Sequence, residues 1–194
     1  CKEHRVLFIA DEIQTGLGRT GDLFAVDHES VKPDIMVVGK ALGGGFYPVS
    51  AALASRELLE LFKPGDHGST FGGNPLASAV AQEALNVIVD EKLPERSARL
   101  GAKLINALIA MKSDIIKEVR GRGLMVGIEL AAPAAQISAQ LLQRGIAAKD
   151  TRQDVLRLAP PLIIEDAELD YLIRELAAVL QDKVDPKIMQ HRIC

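Results

Sequence analysis

Two charged residues stand where apolar segments end. Asp11 closes the run Arg5-Val6-Leu7-Phe8-Ile9-Ala10, and Lys40 closes Ile35-Met36-Val37-Val38-Gly39. Each run is short, apolar and rich in β-branched residues, the pattern of a strand buried on both faces of a parallel sheet. That reading puts Asp11 and Lys40 at carboxyl ends of strands, the edge at which open α/β sheets bind ligands. If the two strands are neighbours, they lie about 5 Å apart. A carboxylate and an amine at such an edge are costly to desolvate without partners, and a cofactor that needs both would account for them. Pyridoxal phosphate is such a cofactor: its aldehyde takes a lysine, and its ring nitrogen needs a carboxylate to stay protonated. The lysine must be partly neutral to attack a carbonyl, which burial beside other cations favours.

The ordinary fate of Asp or Lys at a strand end is to open a solvated loop. What argues for chemistry at Lys40 is its setting, Gly39-Lys40-Ala41-Leu42-Gly43-Gly44-Gly45, small enough for a flat ligand to approach the backbone closely. A competing motif is Gly16-Leu17-Gly18-Arg19-Thr20-Gly21, which spells the G-x-G-x-x-G of dinucleotide-binding folds. That motif belongs in the turn directly after a strand and opens a long helix. Here Asp11 to Thr15 intervene and Pro33 limits the length of any helix after the motif, so the dinucleotide reading is set aside. The P-loop pattern also fails, because Lys40 precedes Ala41 where Ser or Thr is required.

The elements that must position these residues can be read from periodicity. A third strand is expected over Val49 to Ala54, after the Gly43-Gly44-Gly45 turn signal. Helices are expected over Ala77 to Val89 and over Ala98 to Met111, the second with its stripe at Leu100, Leu104, Leu108 and Met111. Beyond them the pattern changes to a small α/β unit. It comprises strands at Leu124 to Leu130, Ile146 to Ala148 and Val155 to Leu158, and helices at Ala135 to Gln143 and Asp166 to Leu180. The expected organisation is residues 1–75 in a cofactor domain, 76–112 as connecting helices, 113–182 as a small domain and 183–194 as a frayed tail. The polar opening Cys1-Lys2-Glu3-His4, without an initiator methionine, reads as entry into the middle of a domain.

The 194 residues are 48% hydrophobic, enough to bury a core, and 23 basic against 26 acidic residues leave a net charge of -3. This mixed balance gives no electrostatic footprint for nucleic acid or an anionic membrane. No apolar run approaches the ~20 residues of a membrane helix, and a small-molecule partner is expected. The cysteines, Cys1 and Cys194, imply neither a metal site nor a disulfide framework.

Asp11-Glu12-Ile13-Gln14-Thr15-Gly16, followed by Gly18-Arg19-Thr20-Gly21, resembles the signature of class III aminotransferases. Lys40 comes at the family's interval and in its Gly-Lys-Ala-Leu-Gly-Gly-Gly context. His67-Gly68-Ser69-Thr70-Phe71-Gly72-Gly73-Asn74-Pro75 is similar to the family's next block, and Leu156-Arg157-Leu158-Ala159-Pro160-Pro161-Leu162 to its arginine segment. The likeness covers Cys1 to Asp182. Within the family, Phe62 to Thr70 and Tyr47 to Ala51 resemble the ornithine aminotransferases more than those acting on acetylornithine or 4-aminobutyrate.

The resemblance implies a fold-type-I pyridoxal-phosphate transferase: part of the large-domain sheet with a small C-terminal α/β domain. It implies Lys40 as the cofactor lysine, Asp11 at the ring nitrogen and Gln14 at the ring hydroxyl. Ser69 and Thr70 would be cofactor contacts, the threonine reaching the phosphate of a neighbouring subunit, and Arg157 would clamp a substrate carboxylate with two parallel hydrogen bonds. Taken alone, Gln14 could be a turn residue, Thr70 a distant helix cap and Arg157 a surface strand arginine. Implied partners are an amino donor and a 2-oxo acid, in a homodimer with shared sites, without nucleic acid, membrane or metal. The implied activity moves ornithine's terminal amine to 2-oxoglutarate, within arginine and proline metabolism, in the cytoplasm or, in a eukaryote, the mitochondrial matrix. The alternatives are another class III donor or a truncated chain inactive by itself, since the upstream residues that cup the phosphate, stack on the ring and select the donor are not in this sequence.

Overall fold

The computed structural model describes residues 1–181; the expected tail at 183–194 lies outside them. The chain divides into two compact units, the first Cys1–Ala98 and the second from Arg99 onward.

The first unit holds a three-stranded sheet in the order β1 (Ile9–Asp11), β2 (Ile35–Val38), β3 (Ala51–Ala54). As expected for adjacent binding-edge strands, β1 and β2 are parallel neighbours, with Asp11 opposite Val37; β3 runs antiparallel to β2. Burial on both faces is not what the structure shows. Ala10 and Val38 are buried, but Val6, Leu7, Ile9 and Leu53 are each at least half exposed. The apolar pattern is that of a sheet made to be covered, while among the described residues β1 has a strand neighbour on one side only. A short helix, α1 (Arg56–Leu59), follows β3, and α2 (Pro75–Asp90) begins at Asn74, whose side-chain oxygen accepts from the Ala77 N–H at 2.9 Å, with Pro75 in the first turn. Both are favoured helix-start features.

The division between units falls within α3 (Leu93–Ala110). In the second unit an antiparallel sheet has the order β4 (Ile116–Arg122), β5 (Met125–Leu130), β7 (Val155–Leu158), β6 (Lys149–Thr151). Alternate residues of β5, namely Val126, Ile128 and Leu130, are buried with Leu156 and Leu158 of β7. Against this face pack Leu100, Leu104 and Leu108 of α3, Ile137 and Leu141 of α4 (Ala134–Gln143), and Leu169 and Leu176 of α5 (Asp166–Gln181). The two-residue period of the strands and the 3.6-residue period of the helices each deliver one apolar face to a common core.

Two expectations shift. The third strand of this unit lies at Lys149–Thr151, not at Ile146 to Ala148, because the chain leaves α4 through a turn in which the Ile146 N–H still donates to the Leu141 carbonyl. The strand Ile116–Arg122 lacked an apolar signature: it is an edge strand carrying Lys117, Glu118, Arg120 and Arg122, and charge on an edge opposes unwanted strand addition.

Candidate active site

Asp11 ends β1, and Lys40 comes two residues after β2, so both emerge at the same edge of the parallel pair. The Asp11 carboxylate accepts from the Ile13 N–H at 3.1 Å, turning the chain away from the sheet and leaving Gln14 on the turn. Asp11, Gln14 and Lys40 are all exposed. Lys40 opens a short 3-10 helix, Lys40–Gly43, and its φ is 46°. A non-glycine residue in the left-handed region costs of order 1 to 3 kcal/mol, and such strain collects at functional positions. The fold holds Lys40 at this edge in a left-handed conformation that Leu17, Lys92 and Lys112 also adopt, so its place at the strand end, and not the angle, singles it out.

A cavity of about 480 Å³ opens beside Lys40 within the first unit, with Pro48, Ser50, Phe71, Gly73 and Asn74 in its wall. Its walls come from the loop before β3 and from the start of α2, where unsatisfied backbone N–H groups favour an anion. A carboxylate and an amine at neighbouring strand ends, with a recess and a helix start beside the amine, suit a flat, phosphorylated aldehyde with a basic ring nitrogen, although Asp11 and Gln14 do not themselves line the recess. The residues present therefore fit pyridoxal phosphate. Ser69 and Thr70 do not line this cavity; they lie in the exposed stretch before it, where the Ser69 hydroxyl accepts from the Gly72 N–H at 2.8 Å. Asn74, not Thr70, caps α2. Arg157 belongs to the second unit, on β7 opposite Gly127 and Lys149, between the buried Leu156 and Leu158. Its side chain therefore leaves the face away from the core, and among the described residues no carboxylate pairs with it.

The glycine loop is not a dinucleotide turn. It is followed by a single 3-10 helix, Ala25–Glu29, with no long helix before β2. Polar contacts that sequence reasoning missed shape it. Glu12 is buried, its Oε1 accepting from the Val26 N–H at 2.9 Å and its Oε2 from the Thr15 hydroxyl. Farther along, His28 Nδ1 stands 2.8 Å from Asp22 Oδ2, and its Nε2 stands 3.1 Å from the Thr20 carbonyl. The Arg19 carbonyl accepts from the buried Ser97 hydroxyl at 3.0 Å, and burial pushes the Arg19 guanidinium below its ordinary value. Nothing in the sequence marked Glu12 or His28.

A second cavity, about 550 Å³, lies in the second unit with Leu158, Pro160, Ile164 and Leu172 in its wall; it is apolar and carries no comparable set of reactive groups. Among the described residues there is no group of His, Cys, Asp or Glu that could hold a metal, and no helix is long and apolar enough to cross a membrane.

Comparison with known proteins identifies the family. The family model for aminotransferase class III matches residues 1–180. Ornithine aminotransferase 1 of Staphylococcus aureus is 55% identical over 182 residues, covering 94% of this chain and 45% of the relative. Among solved structures, the ornithine aminotransferase of Toxoplasma gondii, whose active site was described with partial occupancy of PLP, superposes with a TM-score of 0.90. It is 46% identical and covers 93% of this chain and 44% of that one. The acetylornithine aminotransferase of Elizabethkingia anophelis gives the same TM-score of 0.90 and 46% identity, over 94% of this chain and 47% of that one. The chain thus spans about half the length of the relatives it matches. With the family model matched over residues 1–180 and a relative 55% identical over 94% of the chain, this chain belongs to the class III aminotransferases, pyridoxal-phosphate-dependent enzymes of fold type I.

Proposed function

We propose that this chain is the lysine-bearing part of an enzyme that transfers the terminal amine of L-ornithine to 2-oxoglutarate, giving L-glutamate 5-semialdehyde and L-glutamate. The observation that carries this reading is the pairing of Asp11 and Lys40 at one edge of parallel neighbours, in a chain 55% identical to an ornithine aminotransferase. Pyridoxal phosphate, when bound, supplies the aldehyde that takes up the amine and the ring that accepts the electron pair from the substrate carbon. Lys40 Nζ holds the cofactor between turnovers and carries the proton to and from the reacting carbon. The Asp11 carboxylate would hold the proton on the ring nitrogen. Gln14 donates to the ring hydroxyl from the turn that Asp11 begins. Arg157 offers its planar fork to a substrate carboxylate. Thr70 serves the phosphate of a second copy, with Ser69 beside it as a further cofactor contact, which makes the working unit a homodimer with shared sites. In domain terms, residues 1–75 belong to the large cofactor domain, 76–112 are connecting helices and 113–182 form the small domain. The enzyme works in the cytoplasm or, in a eukaryote, in the mitochondrial matrix.

A second reading, with acetylornithine as donor, draws on the equal likeness to the Elizabethkingia enzyme. One experiment separates the steps. The purified chain is incubated with pyridoxal phosphate, reduced with borohydride and digested, with Lys40→Ala in parallel. Cofactor mass on the Lys40 peptide alone supports the site; labelling spread over surface lysines overturns it. Turnover of ornithine against acetylornithine, measured with the upstream half of the enzyme supplied, then decides the donor.

A further inference from the structure

We infer that Glu12 is the positioning residue for its two exposed neighbours, Asp11 and Gln14, through a buried carboxylate that staples the turn on which both stand. This deepens the function proposed above and rests on it in that Asp11 and Gln14 meet the cofactor.

Glu12 is only 2% exposed although Asp11 and Gln14 on its turn are open to solvent. Its backbone and carboxylate are engaged in different directions. Its N–H donates to the Val37 carbonyl of β2 at 2.9 Å, and its own carbonyl accepts from the Gly16 N–H at 3.0 Å. One carboxylate oxygen accepts from the Thr15 hydroxyl and the other from Val26 N–H, fourteen residues on, at the start of the 3-10 helix that ends the glycine loop. This one residue therefore joins the sheet, the turn and the far end of the loop. Gly16 fits the same device: a Cβ there would stand 2.8 Å from the Glu12 carbonyl oxygen and 3.2 Å from Phe24, so the turn closes over Glu12 only without a side chain at that position.

A buried carboxylate is expensive unless its oxygens are bonded, and an apolar residue of similar volume would fill this space at less cost. What the carboxylate adds is direction. Asp11 and Gln14 lie one residue before and two residues after it, so its anchoring sets the path of the backbone that aims both. Glutamine preserves this chemistry, since its amide oxygen accepts from Val26 and its amide nitrogen donates to the Thr15 oxygen. Methionine keeps the bulk and loses both contacts.

The test compares the 194-residue chain with Glu12→Gln and Glu12→Met. Without cofactor, amide hydrogen exchange over the peptide 12–26 is expected to quicken in E12M and to stay near the parent in E12Q. With cofactor, the concentration of pyridoxal phosphate that half-saturates borohydride-trapped attachment at Lys40 is expected to rise about tenfold in E12M, a loss of one good polar interaction. E12Q should restore it, along with the parent's absorbance maximum. Exchange unchanged in E12M would overturn the staple regardless of the cofactor. Faster exchange with unaltered attachment and absorbance, or an E12Q as impaired as E12M, would overturn the positioning role. A parent that takes no cofactor at Lys40 even with the upstream half of the enzyme supplied would instead overturn the functional reading, while the exchange result would still decide the staple.

Discussion

Asp11 and Lys40 are separated by 28 residues of sequence and brought to one edge by a single pair of parallel strands. Their roles differ in how they should fail. Removing the Asp11 charge leaves the Lys40 amine in place, so Asp11→Asn is expected to accept the cofactor yet lose turnover by about 100- to 1000-fold in the complete enzyme, the usual scale for one preorganised electrostatic group. Steady-state rates of ornithine-dependent semialdehyde formation check this, and a loss below about tenfold would place the ring nitrogen's partner elsewhere. Lys40 and Asp11 were legible because a charge at the end of an apolar strand is conspicuous. Glu12 was not, because a glutamate in a polar, glycine-rich loop looks solvated until the loop folds back over it.

The helices and strands of the second unit rest on two contacts that can be tested separately. Gly101 lies inside α3, where alanine would ordinarily stabilise the helix by up to about 1 kcal/mol. A Cβ there would overlap the Gly123 carbonyl in the turn between β4 and β5. Backbone cannot yield as a flexible side chain does, so the clash outweighs propensity. Gly101→Ala is expected to lose about 1 to 3 kcal/mol, read by chemical denaturation; an unchanged or raised midpoint would mean that α3 moves freely off the sheet.

The second contact links α3 to α5. Arg99 makes paired 3.0 Å hydrogen bonds to Asp166, and Lys103 reaches both Asp166 and Asp170. The hydrogen bond from Arg99 holds the Asp166 carboxyl at about 2, below its ordinary 3.8; desolvation opposes this, and Lys103 adds to it. A carboxyl with a depressed folded value contributes its stability above the unfolded value and loses it as pH falls toward the folded one. The stability difference between the parent and Asp166→Asn should therefore be constant above about pH 5 and shrink between about pH 4 and pH 2. Added salt should reduce it at every pH, because the pair is exposed. A difference undiminished at about pH 2 would assign the effect to packing.

Taken whole, the chain carries a finished core in its second unit and an unfinished sheet in its first. Leu100, Leu104, Ile128 and Leu156 have essentially no exposed surface, whereas Val6, Leu7, Ile9 and Leu53 of the first unit are half exposed or more. A chain covering 45% of its Staphylococcus relative is therefore expected to show no ornithine turnover by itself and to gain it when the relative's upstream half is co-expressed. Assay of 2-oxoglutarate-dependent semialdehyde formation checks this, and a normal rate from the isolated chain would sink it. The sequence by itself determined the strand ends that carry Asp11 and Lys40, the helical stripes of α2, α3 and α5, and the family, because periodicity and local motif need only near neighbours along the chain. Only the tertiary structure decided that β3 turns antiparallel, that charged Ile116–Arg122 is a strand, and that Glu12 lies buried under the glycine loop. Pairing partners and burial are set by what distant segments bring, and no residue type announces them.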